Sequence, residues 1–203
     1  MTLYDVTMMT VGPAKHTQAL AALEKRFGKD ADLLACWFSE IGALNRILMI
    51  RRAKDVGALI EQRQSILNSD NPLGLAELVA DISMDLFAPF DFLPPMEPAN
   101  LGPFYEVRSY TLKPNGLKPT EELWRKAIPA RMKVSPVLTA MTSVTGPVIR
   151  FIHIWPYKSL NERMEVRTTA AKDGIWPPPG GGHDRYFMQR NKIMLPASFS
   201  PLQ

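Results

Sequence analysis

Apolar and polar positions along the chain switch between two periods, and the switches recur in the same order in both halves. Leu3 to Thr10 alternates in part and predicts a strand. After Gly12-Pro13, the residues His16, Leu20, Leu23 and Phe27 fall three or four positions apart, with Lys15, Glu24 and Lys25 off the stripe, and predict a helix. Leu33 to Ser39 and Asn45 to Arg52 read as strands on either side of a turn at Gly42. Val56, Leu59, Ile60, Arg63, Ile66 and Leu67 keep helical spacing, so a second helix fills 54–68. A short helix opening at Pro72 and a strand over Ile82 to Phe87 follow, and proline-rich Pro89 to Pro98 reads as a linker.

The second half repeats this order. Phe104 to Leu112 predicts a strand. Pro119 opens a helix with Leu123, Trp124, Ala127 and Arg131 on one side, which Pro129 is expected to kink or end. Val137 to Thr145 and Val148 to Trp155 are strands around Gly146-Pro147. Ser159 caps a helix whose apolar face is read as Leu160, Met164, Thr168 and Ala171. After the loop from Trp176 to Asp184, Tyr186 to Leu195 is the last strand. Residues correspond between the halves: Tyr4-Asp5-Val6 with Tyr105-Glu106-Val107, Gly42 to Ile50 with Gly146 to Ile154, and Phe92-Leu93-Pro94 with Phe199-Ser200-Pro201. The separation grows slightly each time, as loop insertions in a duplicated unit would make it. The pattern predicts an α+β protein of two tandem ferredoxin-like βαββαβ repeats, residues 1–98 and 99–203.

Such a unit covers one sheet face with helices and leaves the other bare, and alternation sorts side chains between the two. Tyr105, Val107, Ile152 and Ile154 are assigned to the helix side. Glu106, Arg108, Tyr110, Phe151, His153 and Trp155 then fall on the bare face, an aromatic and ionisable surface that packing against a second sheet would enclose.

Composition changes this picture little. Of 203 residues, 46% are apolar and 22% charged, enough for a sizeable core and against disorder. The net charge of +4 is mild and the basic residues are scattered, so no nucleic-acid partner is expected. The single cysteine, Cys36, excludes an internal disulfide and sits in the apolar run LLACWF, where a small buried thiol fits. No secretory signal, membrane association or spanning segment is expected from the pattern, which makes the cytoplasm the expected location.

Three stretches carry a resemblance: YEVRSYTLKP from Tyr105, GPVIRFIHIWPYKSLNER from Gly146, and IMLPASFSP from Ile193. They resemble a NIPSNAP-family domain, specifically so in the His153 to Leu160 run H-x-W-x-Y-x-S-L. The resemblance implies a fold of the dimeric α/β-barrel superfamily, with the first half a degenerate partner that carries Met49 in place of His153 and Arg51 in place of Trp155. It implies no agreed activity or catalytic residue. The wider superfamily contains cofactor-free oxygenases, haem-binding enzymes and small-molecule binders, which raises a prior and no more.

The residues themselves offer one main constellation: His153 with Arg108, Tyr110 and Trp155. A neutral imidazole beside a cation and a phenol can orient or deprotonate an organic acid or phenol. The competing reading is a satisfied polar network, with Glu106 paired to Arg108. His183, after the glycine-rich stretch, is a second candidate ligand contact, on a loop that lacks the ending of a phosphate-binding loop. His16, His153 and His183 have no zinc spacing, and no metal or cofactor is predicted; haem stays open because one axial histidine leaves no spacing signature. An RNA-binding sheet is rejected because the strand reads IRFIHIW instead of the required aromatic pattern. Two functions follow: a small-molecule-binding or enzymatic barrel with its cavity in the second half, or a non-catalytic interaction module. A homodimer is the expected assembly.

Overall fold

The computed structural model of the chain describes residues 2–181 and 183–203. Eight strands and four α-helices follow in the order β1 (Tyr4–Val11), α1 (His16–Phe27), β2 (Leu33–Ile41), β3 (Arg46–Arg52), α2 (Val56–Leu67) and β4 (Val79–Pro89), then β5 (Phe104–Leu112), α3 (Leu117–Met132), β6 (Thr139–Ser143), β7 (Arg150–Tyr157), α4 (Leu160–Lys172) and β8 (Tyr186–Pro196). The strands form a closed antiparallel barrel in the order β1-β3-β2-β8-β5-β7-β6-β4, with β4 returning to β1. The halves meet at two seams, β2 on β8 from Trp37↔Pro196 to Ile41↔Ile193, and β4 on β6 from Phe87↔Ser143 to Pro89↔Met141. One chain therefore closes the barrel, though the seams pair only the ends of β4 and β8 and leave one edge of residues 79–85 and of residues 186–192 without a strand partner.

Registers repeat between the halves. Asp5↔Arg51, Thr7↔Met49 and Met9↔Ile47 on β1 and β3 occupy the places of Glu106↔Trp155, Arg108↔His153 and Tyr110↔Phe151 on β5 and β7. The Gly146 turn between β6 and β7 has φ of +69° and holds Asp85 against the glycine, where any side chain would collide.

The barrel interior is aliphatic and aromatic. Val6, Leu48, Ile50 and Phe87 from the first half meet Val107, Met141, Ile152 and Ile154 from the second. Trp37 stacks on Tyr105 with ring centroids 4.1 Å apart and planes 17° from parallel. The Trp37 indole N–H donates to the Leu202 carbonyl at 3.1 Å, so the chain end is tied across this end of the barrel. Cys36 is fully buried, and burial pushes its thiol up to about 12, as expected of an inert core cysteine.

This arrangement inverts the face assignment made from alternation. Tyr105, Val107, Ile152 and Ile154 point into the barrel, whereas Tyr110, Phe151 and Trp155 lie outside it with Trp124 and Ile128 of α3. The two parity sets were sorted correctly and their sides exchanged. Both faces of β5 and β7 are largely buried here, so alternation alone cannot say which is interior. Aliphatic side chains fill the closed interior, and the ionisable set turns to the helices, where α4 supplies arginines.

Four other expectations are corrected. Helix α3 runs through Pro129, because that residue is exposed and the carbonyl one turn back that loses its partner can be solvated. On α4 the inward residues are Arg163, Val166 and Ala170, while Met164 is 57% exposed, so the stripe through Met164, Thr168 and Ala171 faces largely outward. His16 is exposed beside Phe38 and not at the core edge. The stretch read as a linker buries Phe90, Leu93 and Met96, and the Met96 N–H donates to the Tyr4 hydroxyl at 2.9 Å.

Replacing Trp37 with Ala removes a fully buried ring, its stack and its hydrogen bond. The expected loss is about 3–5 kcal/mol in urea unfolding at neutral pH. A loss under about 1 kcal/mol would mean that the interior stack does not hold the halves together.

Candidate functional site

The outward face of β5, β7 and β8 is built from cross-strand pairs. Arg108 sits between His153 on β7 and Asn191 on β8, and Tyr110 between Phe151 and Gln189. Ala140 of β6 lies opposite His153 and adds little bulk beside the ring. Over this face α3 lays Trp124, whose ring centroid is 4.8 Å from His153, 5.0 Å from Phe151 and 4.8 Å from Trp176. Helix α4 is fixed by Ser159, whose hydroxyl accepts from the Glu162 N–H at 3.0 Å, while the Glu162 carboxylate accepts from the Lys158 N–H. Its inward side then carries Arg163 and Arg167, one turn apart.

Glu106 is the fixed point of this layer. Its side chain is fully buried, and one oxygen accepts from Arg163 at 2.7 Å, Arg108 at 2.9 Å and Asn191 at 3.2 Å. Arg167 stands 3.7 Å from the other oxygen. Burial pushes the Glu106 carboxyl up, but the Arg163 hydrogen bond and the charges of Arg108, Arg163 and Arg167 outweigh it and hold the group below its usual value. The first half has the same device: buried Asp5 meets Arg63 of α2 at 2.5 Å and Arg51 at 3.8 Å. An acid on the first strand thus clamps the second helix in both halves, which assigns Glu106 to the architecture.

His153 stands outside that clamp. Its Nδ1 accepts from the Trp155 indole N–H at 2.6 Å. An indole nitrogen only donates, so the neutral ring carries its proton on Nε2. Burial, then the charges of Arg108 and Arg167, hold the imidazole well below its ordinary range and keep it neutral. The Nε2 atom is buried and has no hydrogen-bond partner among the described residues. His153 is therefore arranged to donate a hydrogen bond and not to remove a proton.

These residues border a cavity of about 170 Å³ between the sheet and the helices. His153, Trp124, Trp155 and Trp176 form its aromatic wall, and Arg108, Arg131 and Arg167 bring positive charge. The Arg131 guanidinium lies 4.4 Å from the Trp155 ring centroid and donates to the Ser135 carbonyl at 3.0 Å. The Tyr157 and Tyr186 hydroxyls are pushed up by burial, so both stay protonated as donors. The Arg108 Nε donates to the Tyr110 hydroxyl at 2.7 Å.

Of the residues singled out in the sequence, Arg108, Tyr110, His153 and Trp155 line this cavity. Phe151 packs behind His153, and Glu106 lies beneath as the clamp. The His183 side chain lies outside the described residues. Sequence reasoning missed Tyr157, Arg167, Trp176 and Tyr186 as residues lining the same cavity as His153, and Arg163 as a partner of Glu106. One signal was available: the Arg163 and Arg167 spacing on a helix with no consistent apolar stripe. The first half keeps the clamp but not the cavity chemistry. Met9, Ile47 and Met49 stand at the places of Tyr110, Phe151 and His153, and pack with Leu23 and Phe27 of α1.

The fold and its helix-covered face define a closed α/β barrel with one aromatic, cation-rich cavity in its second half. A putative monooxygenase from Lactobacillus acidophilus shares this fold over 96% of the present chain and 93% of its own, with 12% identity and a TM-score of 0.66. The family model described as NIPSNAP matches residues 105–201, which include every residue that lines the cavity. Protein NipSnap of Drosophila melanogaster is 24% identical over 191 residues, 89% of this chain and 68% of that protein. A solved protein from Agrobacterium tumefaciens is 31% identical over 49% of this chain and 99% of its own, with a TM-score of 0.45. The chain belongs to the NIPSNAP family.

Two substitutions separate the clamp from the histidine. Glu106→Gln leaves three arginines around a neutral amide and is expected to cost about 3–5 kcal/mol; unchanged stability would dismiss the clamp. His153 and Glu106 also act in different pH windows. The folded imidazole lies below its usual value of about 6.5, so the unfolded chain takes the proton first and stability falls beneath that pH by about 1.4 kcal/mol per pH unit. The folded Glu106 carboxyl lies below its ordinary 4.5, so its contribution is complete above that value and lost on further acidification. His153→Gln should remove the upper slope and spare the lower one in urea unfolding at stepped pH. A slope unchanged between about pH 6.5 and 5 would rule out a buried neutral imidazole.

Proposed function

We propose that the second-half cavity binds a small, planar organic anion and holds it for recognition or reaction. The observation that carries this reading is the His153 Nε2–H, a buried donor with no partner among the described residues, at the edge of a cavity with more cations than acids. Glu106 is occupied by the clamp, so Arg131 and Arg167 retain positive charge for a ligand. The tryptophans offer flat faces to a conjugated ring, and the Tyr157 and Tyr186 hydroxyls add donors. The site is built to donate hydrogen bonds to developing or resident negative charge, which suits a carboxylate, phenolate or enolate. Among the described residues no nucleophile stands beside His153, so covalent catalysis has no part in the reading.

Haem is no part of this reading, which takes the His153 ring as packed against Tyr110 and Trp124 at centroid distances of 4.9 Å and 4.8 Å. Each half reads as one ferredoxin-like repeat. The matching registers support this, as does a serine hydroxyl that accepts from the arginine N–H at the start of the hairpin's second strand: Ser39 from Arg46 at 3.1 Å, Ser143 from Arg150 at 3.0 Å. A homodimer would form through the outer surfaces or along the edges of residues 79–85 and 186–192 that the seams leave unpaired.

The test is a calorimetric titration with aromatic carboxylates and their neutral amides. The carboxylates should bind preferentially, and Arg167→Met should weaken them about tenfold. Its melting temperature should move little, because Glu106 keeps Arg108 and Arg163. Equal binding of acid and amide, or no binding of either, would overturn the reading and leave the interaction-module alternative.

A further inference from the structure

The barrel interior holds a second feature that the helix-side cavity does not explain. One end is closed: Trp37 and Tyr105 stack there, and Met96 and Leu202 pack against them. Towards the other end a cavity of about 150 Å³ opens among Val6, Leu48, Val107, Ile152 and Ile154. In a protein core this is about the volume that admits a benzene-sized guest. Strands of both halves line it, so it exists only because the chain closes its own barrel.

The rim of this cavity is polar, and its charges do not cancel. Arg150 pairs with Asp85 at 2.8 Å, and Arg46 bonds Thr10 and stands 3.8 Å from Asp81. Lys192 is different. Its register opposite Val107, two residues before Met194 opposite Tyr105, points it into the barrel at the level of the aliphatic layer. It makes no ion pair with a described acid. Burial, then the charges of Arg46 and Arg190, pull its ammonium below the usual range, and no acid opposes them. A half-buried lysine in an apolar layer, beside two further cations, is a poor choice for packing alone.

We propose that the barrel interior is a second ligand site and takes a small carboxylate with an apolar body of about six carbons, its tail between Val107 and Ile152 and its carboxylate on Lys192. The ion pair supplies the missing counter-charge, and Ser109, on the same rim, offers a hydroxyl to the second oxygen. This site faces the opposite side of β5 and β7 from His153 and does not depend on the function proposed for that cavity.

The experiment is calorimetric titration of the full chain with hexanoate and hexanamide. Hexanoate should saturate one site per chain and bind about tenfold more tightly than the amide. Lys192→Met, close in shape and with no ion pair to lose, should weaken hexanoate about tenfold and leave hexanamide unchanged. Val107→Phe should fill the cavity and abolish both. Arg167→Met, in the other cavity, should leave hexanoate binding as it was. The proposal fails if hexanoate does not saturate, if acid and amide bind alike, if Lys192→Met binds as the parent does, or if Arg167→Met removes the binding. Should Val107→Phe not fold, the Lys192 and Arg167 variants decide the matter between them.

Discussion

Closure of the eight-stranded barrel within one chain is the constraint on which the other features rest. Each half alone would present a sheet with one covered face and two open edges. Joining β2 to β8 and β4 to β6 satisfies the edge N–H and C=O groups along the two seams, and it turns the bare faces of both halves inward on each other. The enclosed volume is closed by packed side chains at the Trp37–Tyr105 end and must be filled by side chains with few polar atoms. That requirement decides where Glu106, Arg108 and His153 go, while Arg150 stays at the polar rim paired with Asp85. The first three turn outward, beneath helices that can carry arginine to them.

The halves share a skeleton and differ in what they place on it. Equivalent registers on β1/β3 and β5/β7 put an acid at the same point of each, Asp5 and Glu106, and an arginine of the following helix reaches it. A buried carboxylate with several guanidinium partners is costly to break, so it fixes the helix position more firmly than a thin apolar stripe could. In the first half the remaining outer positions are Met9, Ile47 and Met49, which pack tightly with α1. In the second they are Tyr110, Phe151 and His153, flat and rigid groups that do not collapse onto α3 to the same density. The cavity follows from that substitution of shape.

The electrostatics of the second half follow from the clamp. Once Glu106 is surrounded by Arg108, Arg163 and Arg167, the layer has surplus positive charge, and the same charge helps to keep His153 neutral. The Trp155 indole then fixes which imidazole nitrogen holds the proton. Stability and chemistry are thus coupled: the residues that hold α4 in place also set the protonation state of the histidine beside the cavity. The first half, with Met49 in that place, keeps the clamp and has no titrating ring to control.

The order of elements was legible in the sequence, because the period of apolar residues is a local property and changes at turns marked by Gly42 and Gly146-Pro147. Matched residues such as Arg46 and Arg150 marked equivalent hairpin positions in the two halves, and the NIPSNAP resemblance lay in the runs around Tyr105 and His153. Alternation also sorted Tyr105 and Val107 from Glu106 and Arg108 correctly. Which set faces the barrel was not legible, since both faces of a strand buried on two sides are apolar or paired, and the choice depends on what the distant seams enclose. Part of the cavity wall was hidden for a similar reason: Arg167 and Trp176 reach the cavity beside His153 through the path of α4 and the loop after it. Pro129 shows the limit of a local rule, because its effect depends on which side of the helix meets water. The sequence by itself determined the elements, their order and the family. Only the tertiary structure decided the inside and outside of the sheet, the clamp on Glu106 and the two cavities, because those depend on contacts between residues far apart in the chain.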